Sequence, residues 1–245
     1  MQHHETDQWS PSSMVVKKHQ ASLNKDLLLH PGIWSDFQLR TRTWQTLLEA
    51  ARALRRPLTI LETGTSRDND STWIFHRLIR ETGGTVHSFD LDQSLCAFVS
   101  EAVDRLGCAN ELVIHCRDSV TGIQEFPGTI DVLYLDSQDI DFANPEPSMI
   151  HHVRELRAAL PKLSQHAIVA FDDTPASEAF VPWWIYTTDH HLFRRQPPPG
   201  KGAQAIDVLR ECAFAVRCLA HEYQAVFAID QGQPREDASE PAAGR

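Results

Sequence analysis

Apolar residues recur at three- and four-residue spacing through Leu39, Trp44, Leu47, Leu48, Ala51 and Leu54, and Pro57 then stops the run. That period lays one apolar stripe along a helix, so the stretch is predicted to be an amphipathic helix. Beyond Pro57 the pattern changes to short apolar runs separated by amphipathic segments. Leu58–Leu61, Thr85–Phe89, Leu112–Ile114, Ile130–Leu135, Ala167–Phe171 and Ala225–Ile229 read as strands. Helical spacing runs through Trp73, Leu78 and Ile79, through Leu95, Phe98, Val99, Val103 and Leu106, and through Ile123. Two further helices are predicted, from Pro147 to Leu160 and from Ala203 to Leu219. In the first of these, Met149, Ile150, Val153, Leu156 and Leu160 define the inward face, with His152 flanking it and His151 pointing away.

Alternating strands and helices predict an α/β fold with a doubly wound, mainly parallel sheet and helices on both faces. The near-continuous apolar character of Ile130–Leu135 calls for burial on both sides, as at the centre of such a sheet. Ligands bind at the carboxyl ends of the strands, so the loops after those strands are where chemistry is expected. Residues 1–38 are polar and His-rich and read as an extension or cap. Residues 39–230 form the domain, with a lid insertion over about 175–202 that holds Trp183 and Trp184. Residues 231–245 are expected to be a disordered tail.

Composition narrows the functions. The net charge of -10 disfavours a protein that tracks nucleic-acid phosphates, because that affinity comes largely from Lys and Arg. The longest apolar runs fall far short of the roughly 20 residues that cross a bilayer. The start of the chain lacks a basic-then-apolar secretory pattern, which leaves a cytoplasmic location as the expectation. Five cysteines without CxxC spacing argue against a disulfide framework and a thiolate zinc site, and they read mostly as buried small hydrophobes.

The segment Glu62-Thr63-Gly64-Thr65-Ser66-Arg67-Asp68-Asn69-Asp70-Ser71-Thr72 is a strand end, a glycine turn and a helix entry. A dinucleotide loop would carry further glycines so that the backbone approaches a pyrophosphate. Here those glycines are absent, and Asp68 and Asp70 would repel a phosphate while tolerating a cationic ligand. S-adenosylmethionine, with a sulfonium, an ammonium and no phosphate, suits the loop better than NAD. The plainer reading is a tight turn with Ser71 or Asp70 capping the helix.

Over roughly residues 57–230 the chain resembles the class I S-adenosylmethionine-dependent methyltransferases. Glu62-Thr63-Gly64-Thr65 is similar to the family's first motif, and Val86-His87-Ser88-Phe89-Asp90 to its second, whose acid binds the ribose hydroxyls. Arg117-Asp118-Ser119 is similar to the segment bordering the adenine, and Ile130–Asp136 to the fourth motif. The resemblance implies a Rossmann-like sheet with an antiparallel last strand, and a cofactor site at Glu62, Gly64, Thr65, Ser66, Ser71, Asp90, Asp118 and Ser119. The chain departs from the family in lacking the second loop glycine.

Asp136 ends the fourth strand, and Asp172 with Asp173 ends the fifth. In a doubly wound sheet these strands are neighbours, so the three carboxylates converge, and like charges so close are costly. Mg²⁺ or another divalent cation would resolve the repulsion; otherwise the acids are solvated, with Asp173 capping a turn before Pro175. The arrangement is similar to metal-dependent O-methyltransferases of the catechol and sugar-modifying types, which implies Asp136, Asp172 and Asp173 as metal ligands. The lysine base of the catechol type is missing from Asp136-Ser137-Gln138-Asp139-Ile140-Asp141. The resemblance to the sugar-modifying type implies Asp136 as the base, and His151 and His152 are alternative bases, of which His152 is the better placed.

Gly200-Lys201-Gly202 lacks phosphate-loop spacing, yet stands before a helix where it either binds an anionic acceptor group or serves as a hinge. The expected function is metal-assisted methyl transfer to a hydroxyl of a small molecule or sugar, with no nucleic-acid or membrane partner and with a homo-oligomer as one possible assembly. The rivals are a noncatalytic methyltransferase-like binding protein and a nicotinamide-dependent oxidoreductase on a degenerate loop.

Overall fold

The computed structural model describes residues 41–66, 71–140, 144–177, 180 and 200–234. The expected N-terminal cap, Asp68 and Asp70, most of the lid including Trp183 and Trp184, and the tail beyond 234 lie outside the described residues. The strands are β1 (Leu58–Thr63), β2 (Gly84–Asp90), β3 (Leu112–Cys116), β4 (Ile130–Leu135), β5 (Leu163–Phe171), β6 (Phe214–His221) and β7 (Ala225–Pro234). They form one seven-stranded sheet in the order β3-β2-β1-β4-β5-β7-β6. The pairs through β3, β2, β1, β4 and β5 are parallel, and β7 runs antiparallel to both β5 and β6.

Helices cover both faces. On one, α1 (Thr41–Ala53), α2 (Ser71–Thr82) and α3 (Gln93–Leu106) contribute Trp44, Leu47, Phe75, Ile79 and Val99 to a core shared with Val132 and Tyr134. On the other, α4 (Ser119–Glu125), α5 (Glu146–Ala159) and α6 (Ala203–Arg210) bring Ile123, Leu156 and Leu209 against Leu133 and Leu135. Alternation along β4 thus feeds both cores, and every residue of that strand is buried. Among the described residues no helix is long and apolar enough to cross a membrane.

Four details differ from the sequence reading. The helix expected over Ala203–Leu219 ends at Arg210, and Phe214–His221 is a strand instead. Ala215, Val216, Cys218 and Leu219 suit either period, and pairing with β7, in which Val216 faces Ile229, decides between them. The last strand continues past Ile229 to Pro234, into residues expected to be tail. In α5 the buried set is Ser148, Met149, His152, Glu155, Leu156 and Ala159, while Ile150 is exposed. The helix is therefore rotated so that polar His152 and Glu155 point inward. Of the cysteines, only Cys96 and Cys108 are buried, whereas Cys116 and Cys218 are exposed.

A histidine pair on β2 and β3 makes the fold sensitive to acid. His87 Nδ1 lies 3.0 Å from His115 Nε2, a hydrogen bond that needs at least one ring uncharged. Burial, with repulsion from His115, lowers the pKa of His87 to about 4, and burial also lowers that of His115. Between pH 6.5 and about 4 the unfolded chain binds more protons at these rings than the folded one, so stability falls as pH falls through that window. Both rings keep some solvent contact, and screening reduces the effect to about 1 kcal/mol. Urea unfolding of the parent and of His87→Leu at pH 7 and pH 4.5 is expected to show a smaller acid loss in the variant; equal losses would remove the pair from the account.

Candidate active site

The turn after β1 is built by a glycine and fastened from beneath by a buried acid. Gly64 adopts φ +84°, and its N–H donates to Phe89 O at 2.8 Å. A Cβ placed there would sit 2.4 Å from the backbone oxygen of Asp136, so the close approach of the β1 turn to the end of β4 requires glycine. Asp136 N–H in turn donates to Thr63 O at 3.0 Å, which locks the two strand ends together.

Glu62 has no solvent exposure. Its Oε2 accepts hydrogen bonds from Thr72 Oγ1 (2.6 Å) and Ser88 Oγ (2.8 Å). Thr72 Oγ1 also receives the N–H of Ser66 at 3.0 Å, and the hydroxyls of Thr65 and Ser88 lie 2.9 Å apart. Glu62, assigned to the cofactor site from sequence, therefore lies under the Thr65-Ser66 loop as its anchor. Ser71 is buried at the first residue of α2.

Asp90 ends β2 facing the same loop. Its Oδ2 accepts from Thr65 N–H and its Oδ1 from Asp92 N–H, each at 2.8 Å, so both oxygens are oriented by backbone. Asp118 caps α4: its Oδ1 accepts from Thr121 N (2.8 Å) and Thr121 Oγ1 (2.7 Å), bonds that hold its carboxyl below the usual range. Gly64, Thr65, Ser66, Asp90 and Asp118 thus follow one another along the carboxyl ends of β1, β2 and β3, the rim where a nucleoside ligand fits a sheet of this kind.

Ser119 is turned inward. Its Oγ donates to Glu155 Oε1 at 2.5 Å, and the Ser137 hydroxyl reaches the same oxygen at 2.6 Å. His151 Nε2 lies 3.2 Å from Glu155 Oε1 and 3.2 Å from Ser119 Oγ. Burial alone would raise the pKa of Glu155, but the hydrogen bond from His151 and the nearby His152 lower it, while the same contact raises that of His151. His151, expected to point away from the domain, is instead the partner of a buried carboxylate that ties the Ser119 loop to the loop after β4.

His152 is fully buried. Its Nδ1 donates to Ser148 O at 3.0 Å, and burial lowers its pKa. Its Nε2 has no partner among the described residues. It is enclosed among the buried residues of α5.

The acids at the ends of β4 and β5 meet an ammonium group. Lys201, buried to 1% exposure, places Nζ 2.7 Å from Asp136 Oδ1 and 2.9 Å from Asp173 Oδ2. Burial alone would lower its pKa, but the charges of Asp136, Asp173 and Asp172 raise it well above the ordinary lysine value. Asp173 Oδ1 also accepts from the Tyr223 hydroxyl. Asp172 is turned elsewhere: its Oδ2 accepts from Tyr134 OH at 2.7 Å, and its Oδ1 from Gln224 Nε2 at 3.1 Å and from Asp173 N at 2.8 Å.

These residues do not fit a divalent cation. Among the described residues no group of three or more His, Cys, Asp and Glu side chains is placed to hold one. The metal expected at Asp136, Asp172 and Asp173 is thus not supported by the described residues. The repulsion that called for a cation is relieved by Lys201, 65 residues along the chain from Asp136. In Gly200-Lys201-Gly202, expected to be an anion site or a hinge, the charge of Lys201 is engaged by two carboxylates. A separate cleft of about 740 Å³, lined by Ala50, Leu54, Arg210 and Val216, opens beside the start of β5, away from this rim.

Comparison with known proteins agrees with this geometry. Residues 61–174 match the model of a family described as a methyltransferase domain. A methyltransferase from Podospora anserina, solved with S-adenosylhomocysteine bound, is similar in fold with a TM-score of 0.55 at 13% identity, over 93% of this chain and 99% of that one. A caffeoyl-CoA O-methyltransferase candidate from Staphylococcus aureus gives 0.55 at 12% identity, over 89% and 98%. TrmN from Thermus thermophilus matches with a TM-score of 0.45 at 18% identity; 76% of this chain is covered, and it spans about half (47%) of that protein. No curated protein matches the sequence. Residues 61–174 thus match the model of a methyltransferase domain, and the described sheet has the Rossmann-like methyltransferase fold.

Proposed function

We propose that this chain transfers a methyl group from S-adenosylmethionine to a hydroxyl of a small molecule or sugar. The observation that carries the reading is the Gly64 turn, seated against the Asp136 backbone and flanked by the oriented Asp90 carboxylate. That rim presents the Asp90 carboxylate to a cationic nucleoside ligand. The net charge of -10 favours a small acceptor over a polyanion.

When bound, S-adenosylmethionine supplies an electrophilic methyl on its sulfonium. The chain's residues have separate tasks. Asp90, held by the N–H groups of Thr65 and Asp92, accepts the ribose hydroxyls. Asp118 and the Ser119 backbone border the base, and Glu155 keeps that loop in place from behind. Asp136, partly exposed at the rim, takes the proton of the acceptor hydroxyl. Holding acceptor and methyl in line contributes much of the acceleration.

Calorimetric titration of the full chain with S-adenosylhomocysteine tests the reading; absence of heat at millimolar ligand would refute it. Asp90→Ala is expected to weaken binding on the order of tenfold to a hundredfold, the size of a lost charge-assisted hydrogen bond. Product analysis with labelled cofactor, offered small hydroxyl acceptors and RNA in parallel, decides the acceptor class.

A further inference from the structure

We propose that Lys201 is the resident cation of the acceptor side of this rim, a positioning residue that makes divalent metal unnecessary for the reaction. The proposal rests on the methyltransferase reading for what the cation serves, and on geometry alone for the claim that it fills the place of a metal. Three observations carry it. The ammonium is almost wholly buried, donates to Asp136 Oδ1 at 2.7 Å and forms an ion pair with Asp173 Oδ2 at 2.9 Å. No further acceptor for it stands among the described residues. Its position is fixed at both ends, because Lys201 N–H donates to Asp173 O at 3.0 Å and Gly202 N–H to Thr174 Oγ1 at 2.9 Å.

A lone buried ammonium is costly, and two carboxylates within hydrogen-bond distance repay that cost. A divalent ion entering the same space would have to displace Lys201 and accept ligands whose oxygens are already committed to Tyr223, Tyr134 and Gln224. The lysine therefore closes the place to metal. It also fixes the rotamer of Asp136, the proposed proton acceptor, and offers one N–H to the oxygen from which that proton leaves. Asp172 belongs to the β4–β7 network and acts at a distance, through its charge alone.

The test is Mn²⁺ binding by the full chain, followed by electron paramagnetic resonance. The parent is expected to bind no Mn²⁺ at millimolar concentration. Lys201→Ala, which removes the ammonium from beside Asp136 and Asp173, is expected to bind it on the order of tenfold more tightly or better. Lys201→Met, which keeps the apolar stem, guards against a collapsed alanine variant. Metal binding by the parent that disappears in Asp136→Asn overturns the proposal. So does a folded Lys201→Ala that binds no more Mn²⁺ than the parent. In turnover assays EDTA should leave the parent rate unchanged, while Lys201→Met should lower kcat more than it raises KM; a strict metal requirement in the parent is again fatal. Failure of S-adenosylhomocysteine to bind would remove the methyltransferase reading and leave the Mn²⁺ result standing by itself.

Discussion

Replacing Gly64 with alanine is expected to abolish S-adenosylhomocysteine binding and to destabilise the protein by at least about 3 kcal/mol. Two effects add. An L-residue at φ +84° is strained, a cost of about 1–3 kcal/mol. The new methyl would also sit 2.4 Å from Asp136 O and 3.2 Å from Ser137 N, both backbone atoms that cannot swing aside. Relief requires the β1 turn to lift from the end of β4. That motion breaks the Gly64-to-Phe89 and Asp136-to-Thr63 hydrogen bonds and moves Thr65 off Asp90. Gly107 supplies the control. It has φ +65° at the end of α3, but a methyl added there would meet nothing within 4 Å, so Gly107→Ala should cost about 1 kcal/mol and leave ligand binding intact. Urea midpoints with calorimetry on both variants check this pair of outcomes. Normal ligand affinity in Gly64→Ala would mean that the β1 turn is not where the nucleoside binds.

Lys201→Met is expected to have the second largest effect, a loss of about 3 kcal/mol in urea unfolding at pH 7. Removing one partner of a buried ion pair is strongly destabilising. Here two carboxylates remain, and the value sits at the lower end because Asp136 and Asp173 keep 26% and 17% side-chain exposure. The cause can be separated from simple loss of packing. Asp173→Asn removes one of the repelling charges, so in the Lys201→Met background it should restore about 1 kcal/mol, whereas in the parent it should destabilise. The pH dependence has a definite sign. Added acid neutralises carboxylates and with them the repulsion that the missing ammonium no longer offsets. The deficit relative to the parent should shrink as pH falls from 7 toward 4. A constant deficit across that range would assign the loss to packing of the lysine stem.

The sequence was informative where one residue's neighbours in the chain are also its neighbours in space. β4 and the second half of β5 stand out because burial on both faces writes continuous apolar runs, whereas β2 and β3 are only partly buried and show as short apolar stretches. Gly64, Asp90 and Asp118 are legible because each stands at or just beyond the end of a strand. Lys201 was visible as a residue but not as a partner, since its carboxylates lie on other strands and no local spacing encodes the contact. Glu155 is hidden for a different reason. The apolar residues of α5 include Ile150 and Val153, and a rotation of about one position (100°) from the face they define carries Glu155 and His152 inward. A glutamate within an apolar stripe, four residues after a histidine, was the available signal. β6 was hidden because its residues satisfy both periods, and only pairing with β7 selects the strand.

The order of the strands also sets an order of assembly. β5 is apolar enough to be buried along most of its length, yet its second neighbour, β7, follows it by more than fifty positions and arrives only after α6 and β6. As the chain leaves the ribosome, Ala167–Phe171 therefore waits as a bare sheet edge, open to pairing with another chain. The hairpin of β6 and β7 forms by local contact and then closes that edge in one step. Truncation before Ala225 would leave the exposed edge permanently, so the last two strands protect the nascent domain from aggregation as well as completing its sheet.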